Sequence, residues 1–268
     1  MKLLVGLVLS LASLAACADE VIRDVGPMAR GAVAAANADD FAGGEFVGSD
    51  GTHLRYRLLP PLDAKRGQRY PLVLQLHSSG GIGNDNSAQL ERLALSWAMP
   101  DVRRRYQAYV LVPQFEQRSA NYDSPTHPQS AVASPALDVT LELVEHLAAK
   151  RPVDRQRIYA MGFSMGGSAA WLAAARRPAL FAAIVPVAGI APTDDAAKAL
   201  LAMPAWVLHG NADTENPIDA DRRLIAAIRA QGGNLVRLRE YEGLEHQLPA
   251  DAWPGDWWRD WLFSQRRR

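Results

Sequence analysis

The sequence predicts an α/β fold with a mostly parallel central sheet and helices on both of its faces. From Tyr70 onwards, short apolar runs alternate with helical patterns, and this alternation is typical of βαβ units. Right-handed crossovers between parallel strands then distribute the helices over both faces. The 268 residues, 49% of them hydrophobic, suffice for one large α/β domain but not for two of ordinary size.

Local patterns predict each element in turn. The turn Ser49-Asp50-Gly51 joins strand-like stretches at Glu45–Gly48 and Thr52–Leu59, which predicts an N-terminal β-hairpin. Further strands are predicted at Pro71–Leu76, Ala108–Val112, Arg157–Met161, Ala182–Val187, Ala205–Leu208 and Leu235–Tyr241. Helices are predicted at Ser87–Ala98, Leu137–Ala149, Met165–Arg176, Thr193–Leu201, Asp219–Ala230 and Asp256–Phe263.

The charge balance argues against a nucleic-acid partner. Lys plus Arg and Asp plus Glu each number 29, so the formal net charge is zero. Nucleic-acid binding requires concentrated positive charge. The basic runs Arg103–Arg105 and Arg266–Arg268 are interpreted as solvated surface and as the chain terminus.

The first residues resemble a bacterial lipoprotein signal. After a basic start, Leu3–Leu14 forms an apolar run that is too short to remain as a membrane span. The run ends in Leu14-Ala15-Ala16-Cys17. This resembles the lipobox, in which cleavage precedes a cysteine that then carries lipid. The alternative is plain secretion with an incidental Cys17.

Together with the strand pattern that begins at Gly43, this resemblance predicts three segments. Residues 1–16 form the signal peptide, residues 17–42 a lipidated Cys17 with a flexible tether, and residues 43–268 the α/β domain. Lipid on Cys17 implies an exported protein anchored to a bacterial membrane and facing outside the cytoplasm. Because Ala18 rather than an aspartate follows Cys17, the outer membrane is favoured if the cell has one.

One long stretch breaks the alternation of strands and helices. Gln114–Ala136 carries three prolines, and no clear helix or strand is predicted there. Long loops inside compact domains are often functional. This one leaves the carboxyl end of a strand, where ligands bind in open α/β sheets. Tyr122 and His127 are therefore candidates for a substrate lip, with a mobile surface loop as the alternative.

The residues Gly162-Phe163-Ser164-Met165-Gly166 lie between a predicted strand and a predicted helix. This setting gives the G-x-S-x-G pattern its meaning, because the sharp turn exposes the serine hydroxyl above the sheet. Small flanking residues are required for such a turn. The pattern predicts that Ser164 is a nucleophile, which then needs a base within hydrogen-bond reach.

His246 is the predicted base. In this arrangement the order along the chain is Ser, acid, His, and the histidine follows the final strand. Of the six histidines, only His246 follows the last predicted strand. His77 and His209 each end a strand, and their rings are expected to serve structure near the site.

Asp213 is the predicted acid, because it follows a predicted strand directly and lies between Ser164 and His246 in the chain. Its carboxylate would orient the imidazole and stabilise the protonated ring. Glu215 and Asp219 are the neighbouring alternatives.

Two backbone N–H groups are expected to stabilise a developing oxyanion. One is that of Met165, which follows the nucleophile. The other is expected from the loop after the strand that ends at Leu76, which reads His77-Ser78-Ser79-Gly80-Gly81. Ser79 is the predicted donor, with Ser78 as the alternative.

These motifs carry a resemblance that extends from about Tyr70 to Gln265. The matching stretches are Tyr70–His77 with Gly83-Asn84-Asp85-Asn86, Val110–Gln114, Asp154-Arg155 through Gly167, Phe181–Gly189, Trp206–Asp213 and Trp261–Gln265. The sequence resembles predicted peptidases and esterases near polyhydroxybutyrate depolymerases and feruloyl esterases, within the α/β-hydrolase superfamily. It is similar, more distantly, to phospholipase/carboxylesterases and dienelactone hydrolases.

The resemblance implies an α/β-hydrolase fold and hydrolysis of small or oligomeric carboxylic esters through an acyl-enzyme, with neither cofactor nor metal. Ser164, Asp213 and His246 match the triad positions of the family. Two positions depart from its pattern: Ser78 replaces a usual glycine, and Gly81 replaces a frequent glutamate. Both concern the oxyanion loop and therefore the size of substrate.

Two alternative functions remain open. A serine peptidase of the same fold uses the same triad. A catalytically silent surface binding protein is the other alternative, although the three triad residue types occur in the proper order. The acyl and alcohol groups of the substrate and the oligomeric state are not predicted.

Overall fold

The computed structural model describes residues 18–267. The predicted signal peptide and the lipidation of Cys17 lie outside the described residues. The strands are β1 (Glu20–Ile22), β2 (Ala42–Val47), β3 (His53–Leu59), β4 (Tyr70–Leu76), β5 (Tyr109–Gln114), β6 (Ala120–Tyr122), β7 (Ala131–Ala133), β8 (Val153–Phe163), β9 (Ala183–Val187), β10 (Ala205–Gly210) and β11 (Val236–Tyr241).

Nine of these strands form one sheet in the order β1-β11-β10-β9-β8-β4-β5-β3-β2. All neighbouring pairs between β1 at one edge and β5 are parallel. The antiparallel β2–β3 hairpin extends the sheet beyond β5. The predicted mostly parallel sheet with an N-terminal hairpin is therefore confirmed.

Helices cover both faces of the sheet. They are α1 (Arg92–Leu95), α2 (Pro100–Arg105), α3 (Pro135–Lys150), α4 (Met165–Arg176), α5 (Ala197–Leu200), α6 (Asp219–Ala230) and α7 (Asp256–Ser264). Successive side chains of β4 point to opposite faces. Leu72 and Leu74 join the core under α3 to α6, whereas Val73 joins the core under α1, α2 and α7.

Two predicted helices are shorter than expected. The helix predicted at Ser87–Ala98 is reduced to α1 and a 3-10 turn at Ser96–Ala98. The Asp85 carboxylate accepts the backbone N–H groups of Ser87 and Ala88, which holds a turn where the helix was expected to begin. The helix predicted at Thr193–Leu201 is likewise divided between a 3-10 turn and α5.

The prediction of an unstructured stretch at 114–136 is wrong in part. β6 and β7 pair as an antiparallel hairpin, and the N–H of Ala131 donates to the carbonyl of Ala191 at 3.0 Å. Pro125 and Pro128 lie between the two strands rather than within them, so they leave the ladder intact.

The predicted flexible tether needs correction over its described part. β1 pairs with β11, the N–H of Met28 donates to the carbonyl of Leu248 at 2.7 Å, and Phe41 is fully buried. Asp19 forms an ion pair with Arg229 at 2.6 Å. Apolar side chains of this segment are buried in the core, so the segment packs against the rest of the domain. The domain therefore begins well before residue 43.

Within residues 18–267, none of the helices has the length and apolar character needed to span a bilayer.

Candidate active site

Ser164 occupies a strained turn between β8 and α4. Its backbone has φ 58° and ψ −120°, a positive-φ conformation that costs energy for any residue with a side chain. The N–H of Ser164 donates to the carbonyl of Val187 at 2.9 Å, and its own carbonyl accepts from Ser168 at 3.0 Å. These bonds to β9 and α4 hold the turn with the hydroxyl free for other contacts.

The two glycines of the motif have a steric reason. A Cβ on Gly166 would overlap the carbonyl oxygen of Leu76, and one on Gly162 would lie 2.6 Å from the carbonyl carbon of Gly166. Real Cβ atoms do not approach backbone so closely. The turn therefore presses against the carboxyl end of β4, which brings the loop after Leu76 beside Ser164.

The three predicted triad side chains are in contact. His246 Nε2 lies 2.8 Å from Ser164 Oγ, and His246 Nδ1 lies 2.7 Å from Asp213 Oδ2. Asp213 has no exposed side-chain surface and His246 is 11% exposed. The ring of Phe163 packs on that of His246, with centroids 5.0 Å apart. This arrangement allows a proton to pass from Ser164 to His246 while Asp213 holds the ring.

Asp213 is held as an anion. Burial alone would raise the pKa of its carboxyl, but hydrogen bonds from His209, His246 and the N–H of Asn216 hold that pKa well below its usual range. Oδ1 accepts the backbone N–H groups of Glu215 at 3.0 Å and Asn216 at 2.8 Å, which leaves Oδ2 directed at His246.

The two alternative carboxylates lie elsewhere. Glu215 is 75% exposed and lies 3.9 Å from His246 Nε2, on the side of the ring that faces Ser164 rather than Asp213. Asp219 is 84% exposed and pairs with Arg222. Neither contacts Nδ1 of His246, which is where an orienting acid acts.

The two serines of the oxyanion loop differ in whether their backbone N–H groups are already hydrogen-bonded. The N–H of Ser78 donates to Glu91 Oε2 at 2.8 Å and its hydroxyl to Oε1 at 2.5 Å, so both donors are occupied. The N–H groups of Ser79 and Met165 have no hydrogen-bond partner among residues 18–267. Glu91 was not anticipated, and nothing local in the sequence indicates it.

His77 supports this loop from below. Its Nδ1–H donates to the carbonyl of Ser78 at 2.6 Å, and its Nε2 accepts the N–H of Phe115 at 3.1 Å. The ring is therefore neutral, and burial lowers the pKa of His77 to about 4. A Cβ on Gly81 would lie 2.7 Å from this ring, which explains the glycine at that position.

His209 lies behind the triad acid. Its Nδ1 is 2.7 Å from Asp221 Oδ2, and its Nε2 is 2.7 Å from the carbonyl of Asn216 and 3.4 Å from Asp213 Oδ2. Sequence reasoning missed Asp221. A usable signal existed, because Asp221 shares the apolar face of α6 with Leu224, Ile225 and Ile228.

The two predicted lip residues lie in different surroundings. Tyr122 on β6 donates its hydroxyl to Asn216 Oδ1 at 3.3 Å and so reaches the loop that carries Asp213. His127 is exposed and lines a cavity of about 310 Å³ with Ile190, Pro217 and Arg223. Their role as a substrate lip stays a prediction.

A cavity of about 550 Å³ opens between β3, residues 83–84 just beyond the oxyanion loop and the start of α3. No triad residue lines it. Its lining includes Gly83 and Phe115, and Phe115 packs on His77 with ring centroids 5.0 Å apart. The cavity is thus separated from the oxyanion loop by one layer of side chains.

Among known protein families, the model of the dienelactone hydrolase family matches residues 65–253 of this chain. A protein named putative esterase NocK, from Nocardia uniformis subsp. tsuyamanensis, is 30% identical over 152 residues, which cover 56% of this chain and 42% of that protein.

Solved structures agree in fold. A thermostable esterase superposes with a TM-score of 0.74 at 30% identity, covering 85% of this chain and 64% of that chain. A ferulic acid esterase superposes with a TM-score of 0.59 at 16% identity, covering 83% and 96%, and that likeness concerns the fold alone. This chain spans less than two thirds of NocK and of the thermostable esterase.

The family match covers more than half of the chain, and the superfamily that the sequence resembled is confirmed. With its mostly parallel sheet and covering helices, the chain belongs to the dienelactone hydrolase family of α/β-hydrolases.

Proposed function

We propose that this chain is a serine hydrolase that cleaves carboxylic esters, with Ser164 as nucleophile, His246 as general base and Asp213 as the orienting acid. The observation that carries the proposal is the unbroken contact from Ser164 Oγ through both nitrogens of His246 to Asp213 Oδ2, at 2.8 Å and 2.7 Å. The esterase names of the relatives support the choice of bond.

In the first half of the reaction, Ser164 Oγ attacks the ester carbonyl carbon as its proton passes to His246 Nε2. The carbonyl oxygen becomes an oxyanion, for which the N–H groups of Met165 and Ser79 are the proposed donors. His246 then gives its proton to the leaving alcohol, and Ser164 keeps the acyl group. In the second half, water loses its proton to His246 and attacks the acyl carbon. The bond from that carbon to Ser164 Oγ then breaks as His246 returns the proton to Oγ, and the acid is released.

The test is a panel of short, long and aryl-acid esters together with a peptide, assayed with the purified protein and with Ser164→Ala. We expect ester turnover in the wild type, a loss of several orders of magnitude in Ser164→Ala, and loss of labelling by a fluorophosphonate probe. Unchanged labelling of Ser164→Ala would overturn the nucleophile. Preferential cleavage of the peptide would replace the esterase with a peptidase.

We also propose that Cys17 is lipidated and holds the enzyme on a membrane outside the cytoplasm. The apolar run and the Leu14-Ala15-Ala16-Cys17 match support this. Because Asp19 is already paired with Arg229, only Ala18 separates Cys17 from the folded domain. The domain would then lie close to the membrane surface rather than at the end of a long tether.

Wild type and Cys17→Ser should be expressed in a bacterial host and fractionated. We expect the wild type in membranes and the variant in the soluble fraction. If both proteins are equally soluble, plain secretion replaces the anchor.

A further inference from the structure

A second histidine–aspartate pair lies directly behind the proposed triad. The side chains of His209 and Asp221 have no exposed surface, and Nδ1 and Oδ2 are 2.7 Å apart. Trp171 Nε1–H donates to the other oxygen of Asp221 at 2.9 Å. Buried ionisable groups are costly unless they are paired and hydrogen-bonded. Here every polar side-chain atom of the pair has a hydrogen-bond partner. Neither residue takes part in the proton transfers proposed for Ser164 and His246.

The hydrogen-bond partners determine the protons on His209. Nε2 faces the carbonyl of Asn216 at 2.7 Å, and a carbonyl only accepts, so Nε2 carries a hydrogen. Nδ1 faces Asp221, whose other oxygen already accepts from Trp171. Burial opposes a charge on this ring, but the hydrogen bonds to Asp213 and Asp221 outweigh it and raise the pKa of His209 to about 9.

We propose that the His209–Asp221 pair positions the acid of the triad: His209, held as a cation by Asp221, keeps Asp213 ionised with Oδ2 directed at His246. His209 Nε2 lies 3.4 Å from Asp213 Oδ2, the same oxygen that contacts His246. His209 is therefore a positioning residue that acts on Ser164 only through Asp213 and His246. This inference rests on the proposed function.

The need for such a residue follows from burial. Asp213 has no exposed side-chain surface, and its partner His246 is neutral until it accepts the serine proton. A cation beside Oδ2 stabilises the carboxylate without competing for Nδ1 of His246. Two further titratable groups face this region: Glu240 on β11, which is paired with Arg222, and His246, which lies beyond Asp213.

A double-mutant cycle tests the proposal. His209→Gln keeps an amide donor near Asp213 and removes the charge. We expect it to lower kcat/KM by about 10- to 100-fold in the wild type but by less than about 3-fold in Asp213→Asn, because a residue that acts through Asp213 has nothing left to position.

His77→Gln is the matched control. It changes another buried strand-ending histidine, which touches the oxyanion loop instead of Asp213. Oxyanion stabilisation persists when a triad member is lost. The fold-loss caused by His77→Gln should therefore be similar in both backgrounds.

The pH profile supplies a readout that a purely structural role would not move. Asp221→Asn removes the carboxylate that holds the charge on His209 and leaves the His209 ring in place. Loss of positive charge beside the triad favours a proton on its base, so the acid limb of kcat/KM should move to higher pH in both Asp221→Asn and His209→Gln. Circular dichroism and thermal unfolding identify any variant that fails to fold.

The outcomes separate this inference from the proposed function. If Ser164→Ala is inactive but His209→Gln costs the same factor in both backgrounds, or both pH profiles are unshifted in folded variants, the positioning role is overturned and the triad stands. If Ser164→Ala retains full activity, the proposed function itself fails.

Discussion

Two strands, β4 and β10, each place a buried histidine at the site, at or just beyond the carboxyl end of the strand. His77 follows β4 and His209 lies in β10, with 2% and 1% of their surface exposed. Burial lowers the pKa of His77 to about 4, whereas the carboxylates around His209 raise its pKa to about 9 against the same burial. The partners, not the depth, therefore decide whether a buried imidazole is charged.

The two charge states suit the two ends of the site. At the β4 end, neutral His77 donates to Ser78 and accepts from Phe115, which ties the oxyanion loop to the end of β5. The neutral His77 ring brings no charge of its own to the N–H groups proposed for the oxyanion. At the β10 end, cationic His209 lies beside Asp213, which the proposed mechanism requires to stay ionised.

The largest effect is expected at the β10 end, from Asp213→Asn. The substitution removes the charge and favours the wrong tautomer of His246, so kcat should fall by roughly 10²- to 10⁴-fold. Glu215→Gln is the control, because Glu215 is exposed and lies on the other side of the ring. Steady-state kinetics that show a larger loss in Glu215→Gln would identify Glu215 as the acid.

The two histidines should give protein stability opposite pH dependences. An unfolded histidine titrates near 6.5, but folded His77 stays neutral until about pH 4. The unfolded chain therefore binds the extra proton between these values, and stability falls as pH drops from about 6.5 to 4. Folded His209 keeps its proton up to about pH 9, so its contribution is complete below 6.5 and is lost as pH rises through 9.

Each contribution is at most about 3 to 4 kcal/mol, since each pKa shift spans about 2.5 pH units at about 1.4 kcal/mol per unit. The free energy of unfolding should be measured in urea at pH 4.5, 6.5 and 9. We expect His77→Gln to flatten the acid side of the curve and His209→Gln the alkaline side. Equal flattening on both sides by either variant would contradict the assigned charge states.

A smaller effect is expected at the β4 end from Gly81→Ala. The new Cβ would press on the His77 ring at 2.7 Å and tilt the oxyanion loop, so kcat should fall on the order of 10- to 100-fold. Overpacking should also cost about 1–3 kcal/mol of unfolding free energy. Gly80→Ala is the control, since its Cβ would meet only side-chain oxygens, those of Glu91 at 3.3 Å and Ser78 at 3.4 Å.

Kinetics with a short ester distinguish the two loop variants. If Gly80→Ala and Gly81→Ala lose the same activity, the His77 ring is not what holds the loop.

The parts of the molecule that depend on local sequence were predictable. The apolar run of β8 and the glycines around Ser164 lie within a few residues of one another, and α4 and α6 have the predicted bounds. Asp213 and His246 were predicted from two features of the chain: each follows a predicted strand, and they come after Ser164 in the order acid, then histidine. Neither feature depends on how the side chains pack.

What could not be predicted depends on distant partners. β1 has three residues and exists because β11 lies beside it, and Asp19 bonds to Leu238, 219 residues away. Such a short strand carries too little periodicity to be recognised. The contacts of Ser78 with Glu91 and of His209 with Asp221 likewise join side chains of separate elements. The apolar face of α6 indicates that Asp221 is buried, but a single sequence does not indicate which side chain it pairs with.

The smallest effect is expected from Tyr122, whose hydroxyl connects the β6–β7 hairpin to the β10 end of the site. Tyr122 donates to Asn216 at 3.3 Å, and Asn216 in turn donates its N–H to Asp213 and accepts from His209 through its carbonyl. Tyr122 thus lies two contacts from the acid of the triad, through a bond that is long and only partly buried.

Tyr122→Phe removes that bond and keeps the ring, so kcat/KM should fall only by roughly 2- to 10-fold. If Tyr122 acts by steadying Asn216, a short ester and a bulky aryl ester should lose the same factor. If it acts as a lip, the loss should be confined to KM for the bulky ester. His127→Ala is the comparison. Within residues 18–267, the exposed His127 forms no hydrogen bond with Asn216 or Asp213. The effect of His127→Ala should therefore be restricted to the bulky ester. Equal behaviour of the two variants would mean that the hairpin contributes to substrate contact but not to the charged β10 end.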